Sequence, residues 1–132
     1  MNISDPIADL LTRVRNAIMV HRPSVMAPYS RQKSNLLEVL KREGYIKNFE
    51  IVEDGKKKNL IVYLKYADNG SPVISELHRI SKPGCRIYSK SEEIKPVLNG
   101  IGVSIVTTAQ GVLSDRECRE KKVGGEVLCE VW

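Results

Sequence analysis

Four glycine-bearing turn pairs, Pro83-Gly84, Asn99-Gly100, Gln110-Gly111 and Gly124-Gly125, cut the second half of this 132-residue chain into short pieces. Each pair favours a reversal, because glycine reaches left-handed backbone without steric cost and proline presets its own φ. Between them, 73–80, 85–90, 102–108 and 125–132 are rich in β-branched and aromatic residues, so they read as strands of a mainly antiparallel sheet. Ser114 and Glu117 stand at capping-box spacing and open one short helix over 115–122.

The first half follows a different period. Asp5 before Pro6 is a helix start, and Ile7, Leu10, Leu11, Val14 and Ile18 recur at helical spacing over about 6–20. The opposite face carries Asp9, Thr12, Arg13, Arg15 and Asn16. A second helix starts near Ser30, buries Leu36, Leu37 and Leu40, and stops at Gly44. Residues 45–66 read as two strands joined by Asp54-Gly55, with Lys56, Lys57 and Lys58 at the hairpin tip. The segment 67–72 has linker composition. The expected fold is α+β, with an α-β-α-β-β domain over 1–66, a linker over 67–72 and a β-rich domain over 73–132. A chain of this length holds one modest core or two small ones.

Net charge is +5, which favours a polyanionic partner. Its distribution is uneven. Lys and Arg number twelve against seven Asp and Glu in 1–66, five against four in 67–100, and four against five in 101–132. Cys85, Cys118 and Cys129 lack metal-site spacing and are odd in number, so neither zinc nor a disulfide framework is expected and a reducing compartment is the simplest setting. The opening residues carry an early acid where a secretory or transit signal would be cationic and then apolar. The uncharged run 96–114 is long enough to span a bilayer, but its proline, glycines and hydroxyl residues make it a poor membrane helix.

Catalytic chemistry finds no foothold. The two histidines, His21 and His78, belong to no H-E-x-x-H pattern, and neither a G-x-S-x-G elbow nor a P-loop is present. Gly100 and Gly102 begin a dinucleotide fingerprint that Ile105 breaks. No enzymatic role, cofactor, metal or small-molecule substrate is expected. Helix, strand, helix and a lysine-tipped hairpin in 1–66 also suit a winged-helix DNA-binding domain. That reading needs a third helix for the major groove, and no space remains for one after Gly44.

The segment "VLNGIGVSIVTTAQGVLSDRECREKKVGGEVLCEVW" closely resembles the signature region of the small-ribosomal-subunit protein eight family, and "DPIADLLTRVRNA" and "LKREGYI" match it in the same order. The resemblance covers the whole chain. It implies a primary rRNA-binding protein that holds the central domain of 16S-type rRNA and helps assemble the subunit platform. Small-subunit rRNA and neighbouring ribosomal proteins would be its partners, the ribosome of a cytoplasm or an organelle its place. Its own messenger RNA would be a further partner, since some members repress their own translation.

The same resemblance implies where RNA would bind. The family's Ser-Thr-Ser-x-Gly loop corresponds to Thr107, Thr108, Ala109, Gln110 and Gly111, with Arg86, Tyr88, Gly124, Gly125 and Glu126 beside it. Asp5, Thr12, Arg13 and Asn16 on the first helix, and Lys56 in the hairpin, would touch a second stretch of RNA. Thr107 keeps the hydroxyl of the serine it replaces, whereas Ala109 loses one. The residue types suit RNA recognition, since irregular RNA is read through base edges and 2′-hydroxyls, for which neutral hydroxyls and close backbone are apt partners. Taken without the resemblance, the same threonines and glycine also suit a plain strand and turn.

Overall fold

The computed structural model describes residues 5–132, so the first four positions, on which the signal-peptide reading partly rests, lie outside it. Helix α1 spans Pro6–Met19, with the Asp5 side chain accepting from Ala8 N at 3.2 Å. Its buried stripe is Ile7, Leu10, Leu11, Val14 and Ala17. Strand β1 (Ser24–Pro28) leads to helix α2 (Arg31–Arg42), which Ser30 caps by accepting from Lys33 N. The chain leaves α2 through Gly44 at φ +84°, a conformation that favours glycine.

Strands β2 (Ile46–Asp54) and β3 (Lys57–Leu64) form the expected hairpin, and β1 pairs on the other side of β3, giving the order β1-β3-β2. Asp54 opposes Lys57 and Glu53 opposes Lys58, so the turn itself is Gly55 and Lys56. The tip is therefore one lysine long; Lys57 and Lys58 are already strand residues, and Lys58 Nζ lies 3.5 Å from Glu53. Among the described residues of 1–66 there are two helices, and β1 is built into the sheet.

The second sheet contains β4 (Leu77–Arg79), β5 (Tyr88–Ser89), β6 (Val103–Thr108), β7 (Gly111–Ser114) and β8 (Gly125–Val131), all antiparallel. Helix α3 (Asp115–Lys121) follows β7 and keeps the expected capping box between Ser114 and Glu117. Two expected strands are cut short. Within 73–80 only β4 is regular, because Ser75 N and Glu76 N both turn to the Trp132 carbonyl; within 85–90 only β5 is regular, and Cys85 forms an isolated bridge with Lys82. Strand β7 was not anticipated: Val112 and Leu113 are too few apolar residues to announce it.

Strand β8 pairs with β4 and β5 on one side and β6 on the other. Ile105 opposes Cys129 while Val106 opposes Val127, so Leu128 is an unopposed bulge residue. The bulge breaks the alternation, and Val127, Leu128 and Cys129 are buried in succession. The larger core joins both sheets: Leu10, Leu36, Leu37, Leu40 and Leu60 meet Ile105, Leu128 and Val131 from the inner face of the second sheet. On its outer face Val106, Val127, Ile94, Leu113 and Cys118 form a smaller cluster. All three cysteines are free, with Cys85 exposed and the others buried.

Polar links cross between the sheets as well. Arg79 forms a two-pronged pair with Asp5, at 3.2 and 3.3 Å, and donates to the Leu128 carbonyl at 2.7 Å. Arg42 reaches Glu117 at 2.7 Å, Arg15 donates to Leu77 O, and the Tyr45 hydroxyl donates to Ile101 O at 3.1 Å.

Candidate nucleic-acid interface

Strand register brings together residues that are far apart in the chain. Ser89 opposes Gly125, Gly125 opposes Thr108, and Thr108 opposes Gly111, so one row crosses β5, β8, β6 and β7. The adjacent row is Tyr88, Glu126, Thr107 and Val112. Tyr88 is 69% exposed and offers an aromatic face at this end of the sheet. Thus Arg86, Tyr88, 107–111 and 124–126, which the resemblance placed side by side, lie at one end of this sheet.

The glycines make the convergence sterically feasible. A Cβ on Gly125 would run into the Thr107 carbonyl oxygen, and one on Gly124 would meet Ser89 O and, at 2.8 Å, Lys90 Cα. These strands can lie this close only without side chains at 124 and 125.

The loop after β6 is held by one side chain. Thr108 Oγ1 accepts from Gln110 N at 3.0 Å and donates to Gly111 O at 2.8 Å. That geometry commits the hydroxyl proton to the turn and leaves an oxygen lone pair outward. Ala109, Gln110 and Gly111 are exposed beyond it. No charged side chain lies between Pro96 and Ser114, so the loop presents hydroxyl, amide and backbone groups. Beside it a cleft of about 580 Å³ is lined by Tyr88, Gly124 and Gly125 and by charges of both signs, Lys90 and Lys122 with Glu92 and Glu93, which sequence reasoning did not place there.

Glu126 works behind this surface. Its carboxylate accepts from the Ser81 hydroxyl at 2.5 Å and from Arg86 at 2.9 Å, while Ser81 Oγ accepts from Ile87 N at 3.1 Å. Ser81 is wholly buried and thereby ties β8 to the segment that displays Tyr88. Burial alone would raise the Glu126 pKa, but the hydrogen bonds from Ser81 and Arg86 outweigh it and hold the carboxyl below the usual 4.5. Glu117 behaves alike: burial acts upward, and Arg42 and Ser114 bring it below 4.5. A depressed carboxyl stabilises the fold above its unfolded pKa, and this contribution is lost as pH falls through the folded value. Urea unfolding should therefore give a midpoint nearly constant above about pH 5 and falling below about 4.5. The variant Glu126→Gln should show a shallower acid decline, and an unchanged decline would remove Glu126 from the explanation.

The remaining predicted residues stand on other elements. Thr12, Arg13 and Asn16 are exposed on α1. Arg13 is tied to Asp9 at 2.9 Å and to Met26 O at 3.1 Å. Together with Arg22, Arg13 and Asn16 line a groove of about 470 Å³ between α1 and β1. Lys56 is exposed in the β2–β3 turn. Asp5 faces inward to Ala8 N and Arg79. Among the described residues no cluster of three metal-ligating side chains occurs, and no helix is long and apolar enough to cross a membrane.

The chain can now be set beside known proteins. A family model described as ribosomal protein S8 matches residues 5–132. The small ribosomal subunit protein uS8 of Streptococcus equi subsp. zooepidemicus is 53% identical over 132 residues, covering 100% of both chains. That of Staphylococcus carnosus is likewise 53% identical over 132 residues and 100% of both. The Solibacter usitatus protein of the same name is 52% identical over 129 residues, 98% of each chain. A match of this extent, on a fold whose two sheets share one core, leads to one conclusion: the chain belongs to the ribosomal protein S8 family.

Proposed function

We propose that this chain is a structural protein of the small ribosomal subunit that binds rRNA through the β5–β8–β6 end of its second sheet, within the central domain of 16S-type rRNA. The observation that carries the reading is the convergence of Tyr88, Thr107, Thr108, Gly124 and Gly125 on two adjacent, closely packed rows at one end of the sheet. Sequence-specific contacts to irregular RNA need short hydrogen bonds and close backbone rather than charge, because the A-form major groove is too narrow to read. Thr108 and the backbone of 109–111 supply the first, and Tyr88 supplies a surface on which a base or sugar packs. Glu126 acts by holding Ser81 and Arg86 in place. At position 109, where the family has serine and this chain alanine, backbone carries the contact.

The basic half contributes differently. Thr12, Arg13 and Asn16 along the α1–β1 groove, and Lys56 in the hairpin turn, meet a second part of the RNA, with the cations reaching phosphate. Early binding at two places would fix how RNA helices pack, and neighbouring subunit proteins would add to the platform so formed. A messenger RNA folded like the ribosomal site would occupy the same row, the route by which self-repression would work. The family is one of ribosomal proteins, and no reaction is assigned.

The test is competition at moderate salt between a small-subunit rRNA central-domain fragment, transfer RNA and duplex DNA. Selective retention of the rRNA fragment is expected, and equal retention of all three would overturn the reading. Thr108→Val removes two turn hydrogen bonds, each contributing about 0.5–1.5 kcal/mol, and should weaken fragment binding roughly tenfold. Its salt slope should stay unchanged. Lys56→Ala should instead reduce the slope by about 0.7–0.9.

A further inference from the structure

A strand at the rim of a sheet presents unpaired N–H and C=O groups, and natural proteins usually block such an edge. Three rims of this molecule are blocked. On β1 the outward carbonyls of Met26 and Pro28 are taken by Arg13 at 3.1 Å and by the buried Lys33 at 2.9 Å, and Pro28 has no N–H to offer. On β4 the Leu77 carbonyl is taken by Arg15 at 2.5 Å, while β7 has four residues and packs against α2.

Strand β2 has no such cover. It is nine residues long and pairs on one side only, with β3. Leu64 N bonds to Pro23 O and Tyr29 N to Lys58 O, so the even-numbered residues of β3 face β1 and the odd-numbered ones face β2. By that alternation Asn48, Glu50 and Val52 bond to β3, and the N–H and C=O groups of Phe49, Ile51 and Glu53 point outward. Among the described residues no loop or neighbouring strand covers them. Phe49 and Ile51 oppose the buried Val62 and Leu60, so they lie at the rim of the core face, and Ile51 is left 48% exposed.

The order of side chains along β2 says what fits this edge. Set antiparallel to a second copy of itself about Glu50, the strand places Phe49 against Ile51 and Lys47 against Glu53, each pair occurring twice. The same register makes Phe49 and Ile51, whose main-chain groups are free, a hydrogen-bonding pair across the two-fold axis. Among the described residues Lys47 has no ion pair, and Glu53 keeps only its exposed 3.5 Å contact with Lys58. Lys47 sits at the irregularity between Ile46 and Asn48, where the ladder loosens and its flexible stem can reach across. Glu50 meets its own copy at the axis, but its carboxylate accepts from the Tyr63 hydroxyl on β3, on the side away from the edge.

We propose that two copies of this chain pair through β2, antiparallel about Glu50, and join their first sheets into one continuous sheet. An edge of residues 47–53 buries less than the roughly 1,600 Å² of a standard interface, so the dimer is weak and concentration-dependent. Sedimentation of the RNA-free protein should show it forming over roughly 1–500 µM. Ile51→Pro removes an outward N–H that the fold does not use, and should leave a monomer that binds the central-domain rRNA fragment as the parent does. Lys47→Glu sets like charges against one another at both ends of the interface, as does Glu53→Lys, and each should weaken pairing about tenfold. A mixture of these two variants restores opposite charges at both ends, so it should pair as tightly as the parent. A parent that stays monomeric, association of Ile51→Pro, single charge variants that pair like the parent, or a mixture no better than its components would each overturn the proposal.

Discussion

Replacing Gly125 with alanine is expected to destabilise the protein by about 2–3 kcal/mol and to disrupt the RNA row, a large effect for a single methyl group. The added Cβ would overlap the Thr107 carbonyl oxygen and lie 3.0 Å from its carbon and 3.2 Å from Thr108 Cα. These are backbone atoms paired in the sheet, so they cannot swing aside as a long side chain would. β6 and β8 must separate at this end, and the separation spreads to Thr107 and Thr108. Urea unfolding measures the stability loss, and fragment binding measures the second consequence. Gly111→Ala is the informative comparison. It meets nothing within 4 Å but sits at φ +111°, so its cost is conformational and should be smaller. Equal stability of Gly125→Ala and parent would mean that the strands are not packed as described.

Arg79→Met should cost about 3 kcal/mol, near the low end for breaking a buried pair because Asp5 retains 17% side-chain exposure. Methionine fills much of the arginine's space yet leaves the Asp5 carboxylate without its cation and the Leu128 carbonyl without its donor. Asp5→Asn should lose less, since asparagine still caps α1 on Ala8 N. The double variant should lose less than the sum of the two, and strict additivity would show that the pair is not coupled. Arg79 also helps to hold the Glu126 carboxyl below its usual value, so Arg79→Met should make the part of the acid decline that Glu126 carries shallower.

Much of this architecture is written locally. Asp5-Pro6 announces α1, Ser30 and Gly44 bracket α2, and Asp54-Gly55 marks the hairpin, because caps and turns depend on residues within a few positions of one another. The threonine loop and the paired glycines were legible too, through the resemblance to a known family. What could not be read depends on distant partners. The bulge at Leu128 exists only relative to β6, and the shortness of β4 and β5 only relative to β8. Ser81 looks like any strand-end serine until Glu126, 45 positions later, is placed on its hydroxyl. Lys90 and Lys122 gain meaning from lying on one cleft, and Asp5 loses some of its apparent availability by facing Arg79.

The position of β8 has a consequence in time. It is translated after β4, β5 and β6, yet it lies between them and supplies Gly125 and Glu126 to both proposed binding rows. A growing chain exposes α1, α2 and the basic hairpin while β5 and β6 still lack the strand that joins them. On the proposed function, cationic attraction to RNA would precede the capacity to discriminate, and recognition would begin only when residues 125–131 have left the ribosome and inserted. Insertion of a central strand between preformed neighbours is a non-local step, so refolding followed by Trp132 emission should lag formation of the N-terminal helices.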